Sequence, residues 1–181
     1  MRTLAITQNV SADGSVELLG DWFDPGDQAD DLTAEVRRQS ETEAYILLGR
    51  QTFTDFRSYW PHQTDDATGF TDLLNNQQKL VVSSTLGDPE WQNSTVLGAD
   101  WRDRLGELKA EDGGDIVCTG SLTLCETLIE EGLVDELRLF VFPAVQGRGR
   151  RLFPEGFERG LRLVDSRAFS NGVVLVVYTL A

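Results

Sequence analysis

The chain has 181 residues, 40% of them hydrophobic, and a formal net charge of −14; that length and apolar content suit one packed domain spanning residues 1–181. The acidic balance argues against nucleic acid, which rewards a basic surface, and two cysteines with a single histidine offer neither a disulfide framework nor a zinc-ligand pattern, so no metal is expected. No apolar run approaches the about 18 residues that span a bilayer, and Met1-Arg2-Thr3-Leu4-Ala5-Ile6 does not read as a leader, so the expectation is a cytoplasmic protein with no membrane contact.

In chain order, residues 3–9 read as a strand, followed by the polar turn Ser11-Ala12-Asp13-Gly14 and a loop over 15–27. Residues 28–42 are helix-compatible, with Leu32 and Val36 on one face. A buried-strand run over 45–48 stops at Gly49, and a short helix starts at Arg50. Residues 58–70 are mixed loop, and 69–77 are helix-compatible. Strands follow at 79–83 and 95–97, a helix at 101–110 and a strand at 115–118. Over 121–131 the helical signal is strong: Thr123 and Glu126 fit a capping box, with Ser121 competing as N-cap, and Leu124, Leu128 and Ile129 share a face. A strand at 136–142 ends at Pro143, and the loop 143–151 is rich in Gly and Arg. Strands at 161–169 and 173–180 flank Ser170-Asn171-Gly172, a hairpin signal. The alternation of strands and helices predicts an α/β fold: a mostly parallel mixed sheet flanked by helices, ending in an antiparallel hairpin.

Ligands of open α/β sheets sit beyond the carboxyl ends of the strands, where helix starts offer free amides to phosphates. Three strand-to-helix junctions carry suitable residues. The first is Gly49-Arg50-Gln51-Thr52, where glycine admits a ligand to the backbone and Arg50 offers a fork of donors; a strand end with a solvated arginine has the same look. The second is Ser83-Ser84-Thr85, which suits a ribose phosphate and equally suits an ordinary turn. The third is Thr119-Gly120-Ser121-Leu122-Thr123, a small-residue turn that suits a pyrophosphate or a simple helix cap. No GxGxxG follows a strand, so the standard dinucleotide fingerprint is absent.

Gly49-Arg50-x-Thr52 resembles the GRxT motif of dihydrofolate reductases, Ser83-Ser84 their serine pair, and Thr119-Gly120-Ser121 stands at their Gly-Gly turn. The remainder is more similar to a sister group, the reductase domain of bifunctional riboflavin-biosynthesis enzymes and its stand-alone relatives. The marks are Ser11-x-Asp13-Gly14, Gly132-Leu133-Val134-Asp135-Glu136-Leu137, Pro143-x-x-x-Gly147-x-Gly149 and Leu152-Phe153. What the resemblance implies is a dihydrofolate-reductase-like fold with an NADPH site. Gly49, Arg50 and Thr52 would hold phosphates; Ser83 and Ser84 would meet the 2′-phosphate with help from Arg50; Gly120, Ser121, Leu122 and Thr123 would wrap the pyrophosphate. Thr7, Asp13 and Gly14 would lie near the nicotinamide. On the substrate side it implies an acid early in the first helix: Asp31 is the catalytic candidate and Asp30 a substrate contact, with Asp27 nearby. Trp22, Phe53 and Trp60 complete the expected substrate pocket. The family turn often has two adjacent glycines and a cis peptide, whereas only Gly120 remains here, and the amino-terminal deaminase domain of the bifunctional enzymes has no counterpart in this sequence. The basic run Arg148-Gly149-Arg150-Arg151 suits a substrate phosphate, a solvated loop or a dimer contact, and relatives commonly form homodimers. The expected function is NADPH-dependent reduction of a small heterocyclic molecule. Two alternatives stand beside it: a non-catalytic nucleotide-binding module, and a reductase using a deazaflavin-type cofactor.

Overall fold

The computed structural model describes residues 1–24, 26, 28–64, 66 and 69–180. The strands are β1 (Leu4–Ser11), β2 (Glu43–Gly49), β3 (Gln78–Val82), β4 (Ser94–Leu97), β5 (Asp115–Thr119), β6 (Glu136–Phe142), β7 (Leu161–Ala168) and β8 (Val174–Leu180). The helices are α1 (Asp30–Ser40), α2 (Arg50–Tyr59), α3 (Phe70–Asn76), α4 (Trp101–Ala110) and α5 (Leu122–Glu130), with a 3-10 turn at Trp60–His62. The strands form one sheet in the order β4-β3-β2-β5-β1-β6-β8-β7. All pairings from β4 to β6 are parallel, and β8 pairs antiparallel with both β6 and β7. The α/β class with a mostly parallel sheet and a terminal hairpin is therefore the architecture observed.

Strands β2 and β3 carry continuous apolar runs because both of their faces are packed. Leu4, Ile6, Leu47, Leu80, Ile116, Cys118 and Leu137 pack against α4 and α5 through Trp101, Leu105, Leu124 and Leu128. The opposite face carries two separate cores. One joins Leu32 of α1 to Phe140, Phe142, Leu175 and Val177 of β6 and β8. The other joins Phe53 of α2 and Leu74 of α3 to Ile46, Leu48 and Val81 of β2 and β3. The connections explain the division. Right-handed crossovers carry the chain from β1 outward through β2, β3 and β4 on this face, then back to β5 and β6 over the other. Helix α1 leans toward β6 and β8, and α2 and α3 lean toward β2 and β3. Strands β5 and β1 lie between the two cores: among the described residues neither core includes a residue of theirs, although Ala5 and Val117 on this face are buried.

Strand β2 starts earlier than the apolar run predicts. Its first residues pair through a bulge, with Glu43 opposite Asp115 and Tyr45 opposite Ile116. The 3-10 turn at Trp60–His62 falls within the expected mixed loop, and α1 is shorter than the expected 28–42.

Candidate functional site

The strip of sheet between the two cores is the floor of a cleft of about 1390 Å³. Thr7, Val117 and Thr119 line its floor, Leu32 and Val36 of α1 one wall, and Phe56, Trp60 and Leu73 the other. Its volume exceeds the roughly 300–1,000 Å³ of sites for one small ligand, so it has room for a dinucleotide end and a second molecule. The hydroxyl of Thr7 is buried there without a hydrogen-bond partner among the described residues.

At the carboxyl edge of the sheet, α2 and α5 begin side by side. The Gly49 amide donates to Ser121 Oγ at 2.9 Å, and the Ser121 amide donates to Thr52 Oγ1 at 2.9 Å. Gln8 Nε2 donates to the Gly120 carbonyl at 2.6 Å. These bonds hold Gly120 (φ 59) and Ser121 (φ 38) in the left-handed region, which a serine adopts only when its surroundings enforce it. A Cβ on Gly120 would lie 2.8 Å from Thr52 Cγ2, so only glycine fits. Every described peptide bond is trans. The turn leaves the first amides of α5, those of Leu122 and Thr123, without intrahelical acceptors. Two helix starts thus offer amides and positive dipole ends at one mouth.

Arg50 joins this cleft to a second hollow of about 420 Å³, lined by Val82, Ser83, Ser84, Thr85, Gly98 and Trp101. Among the described residues, Arg50 has neither an ion pair nor a side-chain hydrogen bond. Its neighbour Arg102 is instead committed to Glu131 at 2.6 Å. Ser83 Oγ accepts from the Thr85 and Leu86 amides at 3.2 and 2.9 Å, shaping the turn that presents the exposed Ser84. Gly49, Arg50, Thr52, Gly120, Ser121, Leu122, Thr123 and Thr7 all line the cleft, and Ser83 and Ser84 line the hollow, so the structure gathers these ten around two adjoining cavities that share Arg50, Val82, Trp101 and Arg102.

Other expected site residues go elsewhere. Asp13 accepts from the Ser11 hydroxyl at 2.6 Å and from the amides of Gln146 and Gly147 at 3.1 and 2.7 Å. These bonds, the Ser11 hydroxyl foremost, lower its pKa from 3.8 to about 2. It is a latch between two loops and lines neither cavity. Gly14 (φ 88) lies under Arg151, whose Nη1 would be 2.5 Å from an added Cβ. Asp31 accepts from the amide and hydroxyl of Ser170, both at 2.9 Å, tying α1 to the terminal hairpin; the Ser170 amide is the first cause of its lowered pKa. Asp30 is exposed at the start of α1. Neither aspartate lines the cleft, because the helix turns Leu32, Thr33 and Val36 toward it. Asp27 lies outside the described residues. Trp22 packs edge-on against Phe142 and donates Nε1 to Gln146 Oε1 at 2.7 Å; the adjacent Phe23 faces the cleft instead. Phe53 is fully buried and packs against Trp91, so it is core and not a substrate contact. Trp60 does line the cleft.

Polar lining residues that carried no expectation as members of this site include Gln8, Glu43 and Gln77, and Arg150 of the basic run lines it as well. The basic run is split by the fold. Arg151 donates to the Asp13 carbonyl at 2.6 Å and Arg148 to that of Leu19 at 3.4 Å. Arg150 reaches Thr123 Oγ1 at 3.3 Å and Glu126 at 2.8 Å, beside the first turn of α5.

The family model of the RibD C-terminal domain matches residues 2–175. A Bacillus subtilis (strain 168) protein, Uncharacterized protein YyaP, is 35% identical over 136 residues, 74% of this chain and 72% of its own length. A second from the same organism, Uncharacterized protein YwjB, is 26% identical over 167 residues, 90% of this chain and 86% of its own. Among solved structures, a protein from Shewanella sp. PV-4 named for riboflavin biosynthesis superposes with a TM-score of 0.73 at 17% identity, covering 99% of both chains. A pyrimidine reductase-like protein from Corynebacterium diphtheriae gives 0.69 at 15%, covering 99% of this chain and 92% of that one. Acinetobacter baumannii RibD gives 0.65 at 14%; all of this chain is covered and 58% of that one.

Proposed function

Taking as premise that this chain belongs to the RibD C-terminal domain family, we propose that it is an NADPH-dependent reductase of a small heterocyclic molecule. The observation that carries the reading is Arg50, a cation without a partner among the described residues, placed where the cleft opens into the hollow of Ser83 and Ser84. A guanidinium beside serine hydroxyls suits a phosphate monoester, and the paired helix starts at Gly49 and Ser121 suit a diphosphate. The two cavities adjoin at Arg50, Val82, Trp101 and Arg102, which suits a ligand with phosphates at both places. The buried, unpaired hydroxyl of Thr7 supplies hydrogen-bonding capacity for the polar edge of a ring entering the cleft. Leu32, Val36, Phe56 and Trp60 give that ring and a second flat molecule apolar walls.

Bound there, the cofactor supplies a hydride; the chain's own residues bind, orient and exclude water. We extend the reading to a homodimer in the cytoplasm. Every residue of the edge strand β7 is exposed, including Leu161, Leu163 and Val164, and an unpaired apolar edge invites a second copy.

The test uses tryptophan fluorescence, since Trp60 and Trp101 line the two cavities. NADPH quenches it with a sub-millimolar Kd. Arg50→Ala weakens NADPH about ten- to a hundredfold, the range of one or two charge-assisted hydrogen bonds, and affects NADH much less. Equal losses for both cofactors overturn the 2′-phosphate assignment, and absence of binding overturns the cofactor. Oxidation of NADPH in the presence of a pyrimidine or pterin panel separates a reductase from a binding module.

A further inference from the structure

The cleft runs the length of the sheet face. Its mouth is at Gly49, and its far end is lined by Glu43, Gln77, Gln39 and Ser40. Six strand steps separate Gly49 from Glu43, about 20 Å at the usual rise. The dinucleotide elements are all at the mouth, so the far end belongs to whatever the cleft holds beyond the cofactor.

Glu43 reaches that end because of the β2 bulge. Strict alternation with Tyr45, whose side chain packs on the opposite face, would carry Glu43 to that face too. The extra residue, with Glu43 and Tyr45 opposing the neighbours Asp115 and Ile116, reverses the phase and brings Glu43 onto the cleft side. Gln77 Nε2 donates to Glu43 Oε2 at 3.1 Å. That bond fixes the amide orientation and leaves Gln77 Oε1 buried without a partner among the described residues. Behind them, Arg138 is paired with Asp115 at 2.5 Å and with Glu136 at 2.6 Å. One guanidinium thus stands against three carboxyls, with its Nη1 buried and unpartnered among the described residues; the Lys79 ammonium is committed to the carbonyls of Leu74 and Gln77 at 2.7 and 2.8 Å, and no Lys or Arg lines this end among the described residues.

We infer that the far end of the cleft is a subsite for a cationic nitrogen group, an amidine or an ammonium, on the remote end of an elongated substrate, held by Glu43 and Gln77 Oε1. Both atoms accept hydrogen bonds, and neither can be satisfied by a carbonyl or an anion. Burial raises the pKa of Glu43, with Gln77 and Arg138 opposing the shift; a cation restores the stabilisation that burial removes. Asp115 and Thr119 on β5 are four steps apart, which puts the subsite about 13 Å from the level of Thr7. Glu43 therefore binds and orients a remote group and does not reach the atom being reduced. A phosphate-bearing tail is excluded from this end and directed to the mouth, where Arg150 stands beside Thr123.

The inference rests on the reductase reading for its substrate, but its test does not need the cofactor. Benzamidine, with benzoate as the anionic counterpart, is titrated into the cofactor-free protein by calorimetry, and NADPH binding and Tm are measured on the same samples. Benzamidine binds saturably and benzoate does not. Glu43→Gln and Gln77→Leu each weaken benzamidine about tenfold or more, as expected for loss of a charge-assisted or a buried acceptor, and leave the NADPH Kd within about twofold. No saturable benzamidine binding to wild type, equal binding to a folded Glu43→Gln or Gln77→Leu variant, or a preference for benzoate overturns the subsite. Failure of NADPH to bind overturns the cofactor reading instead and leaves the benzamidine result standing.

Discussion

Gly120→Ala tests whether the turn between β5 and α5 is braced as described. Two costs arise. The left-handed φ of 59° costs a non-glycine residue about 1–2 kcal/mol. The new Cβ would lie 2.8 Å from Thr52 Cγ2, and an overpacked methyl costs about 1–3 kcal/mol. The expected destabilisation is therefore about 2–5 kcal/mol, which lowers the Tm of a chain this size by about 4–20 °C. The two costs can be separated. Thr52→Ser removes Cγ2 but keeps the hydroxyl that accepts from the Ser121 amide. In that background the clash disappears and only the backbone cost remains, so Gly120→Ala becomes cheaper by about 1–3 kcal/mol. Denaturant melts of the wild type, both single variants and the double variant give this coupling directly. Additivity within about 0.5 kcal/mol would falsify the close packing of Gly120 on Thr52 and, with it, the bracing of the two helix starts.

Three further outcomes follow from the same geometry. Thr7→Val removes a buried hydroxyl that has no partner, so the variant is more stable by up to about 1–2 kcal/mol yet binds NADPH more weakly; a less stable variant with unchanged binding contradicts the placement of Thr7 on a polar ligand edge. Asp13→Asn lowers Tm at neutral pH. Because folding depresses the Asp13 pKa from 3.8 to about 2, its contribution is complete above about pH 4 and is lost as pH falls toward 2; the gap between wild type and variant must close over that window in thermal melts. Val164→Glu places a charge on the exposed edge strand β7, so light scattering behind a sizing column should report a monomer for the variant and a dimer for the wild type, and an unchanged mass rules out this edge.

The sheet was legible because its central strands are buried on both faces and so write continuous apolar runs, as in Tyr45-Ile46-Leu47-Leu48 and Leu80-Val81-Val82. The phosphate-facing residues were legible because they sit at strand ends, where small and hydroxyl residues interrupt those runs. The substrate side was not. Which way Asp31 or Phe53 points depends on the rotation of a helix about its own axis, and that is set by packing against distant strands. Helix α1 turns Leu32 and Val36 to the cleft and leaves Asp31 to Ser170; α2 buries Phe53 and turns Phe56 outward. Glu43 was hidden for another reason: its pleat is reversed by a bulge, and a bulge depends on the partner strand.

The polar residues of the central strands carry information that local pattern cannot interpret. Thr7 on β1 and Thr119 on β5 follow the apolar stretches Leu4-Ala5-Ile6 and Ile116-Val117-Cys118 in the middle of the sheet. In a sheet with helices on both faces such residues would be buried at a cost. Because β5 is inserted between β1 and β2, α1 and α2, which follow β1 and β2, pack over different neighbours and the two threonines line the cleft between them; the Thr7 hydroxyl, buried without a partner among the described residues, still bears that cost. The crossover order makes the gap that these polar side chains line. The cleft is thus a consequence of topology, and the residues on its floor are the ones that packing did not need to choose.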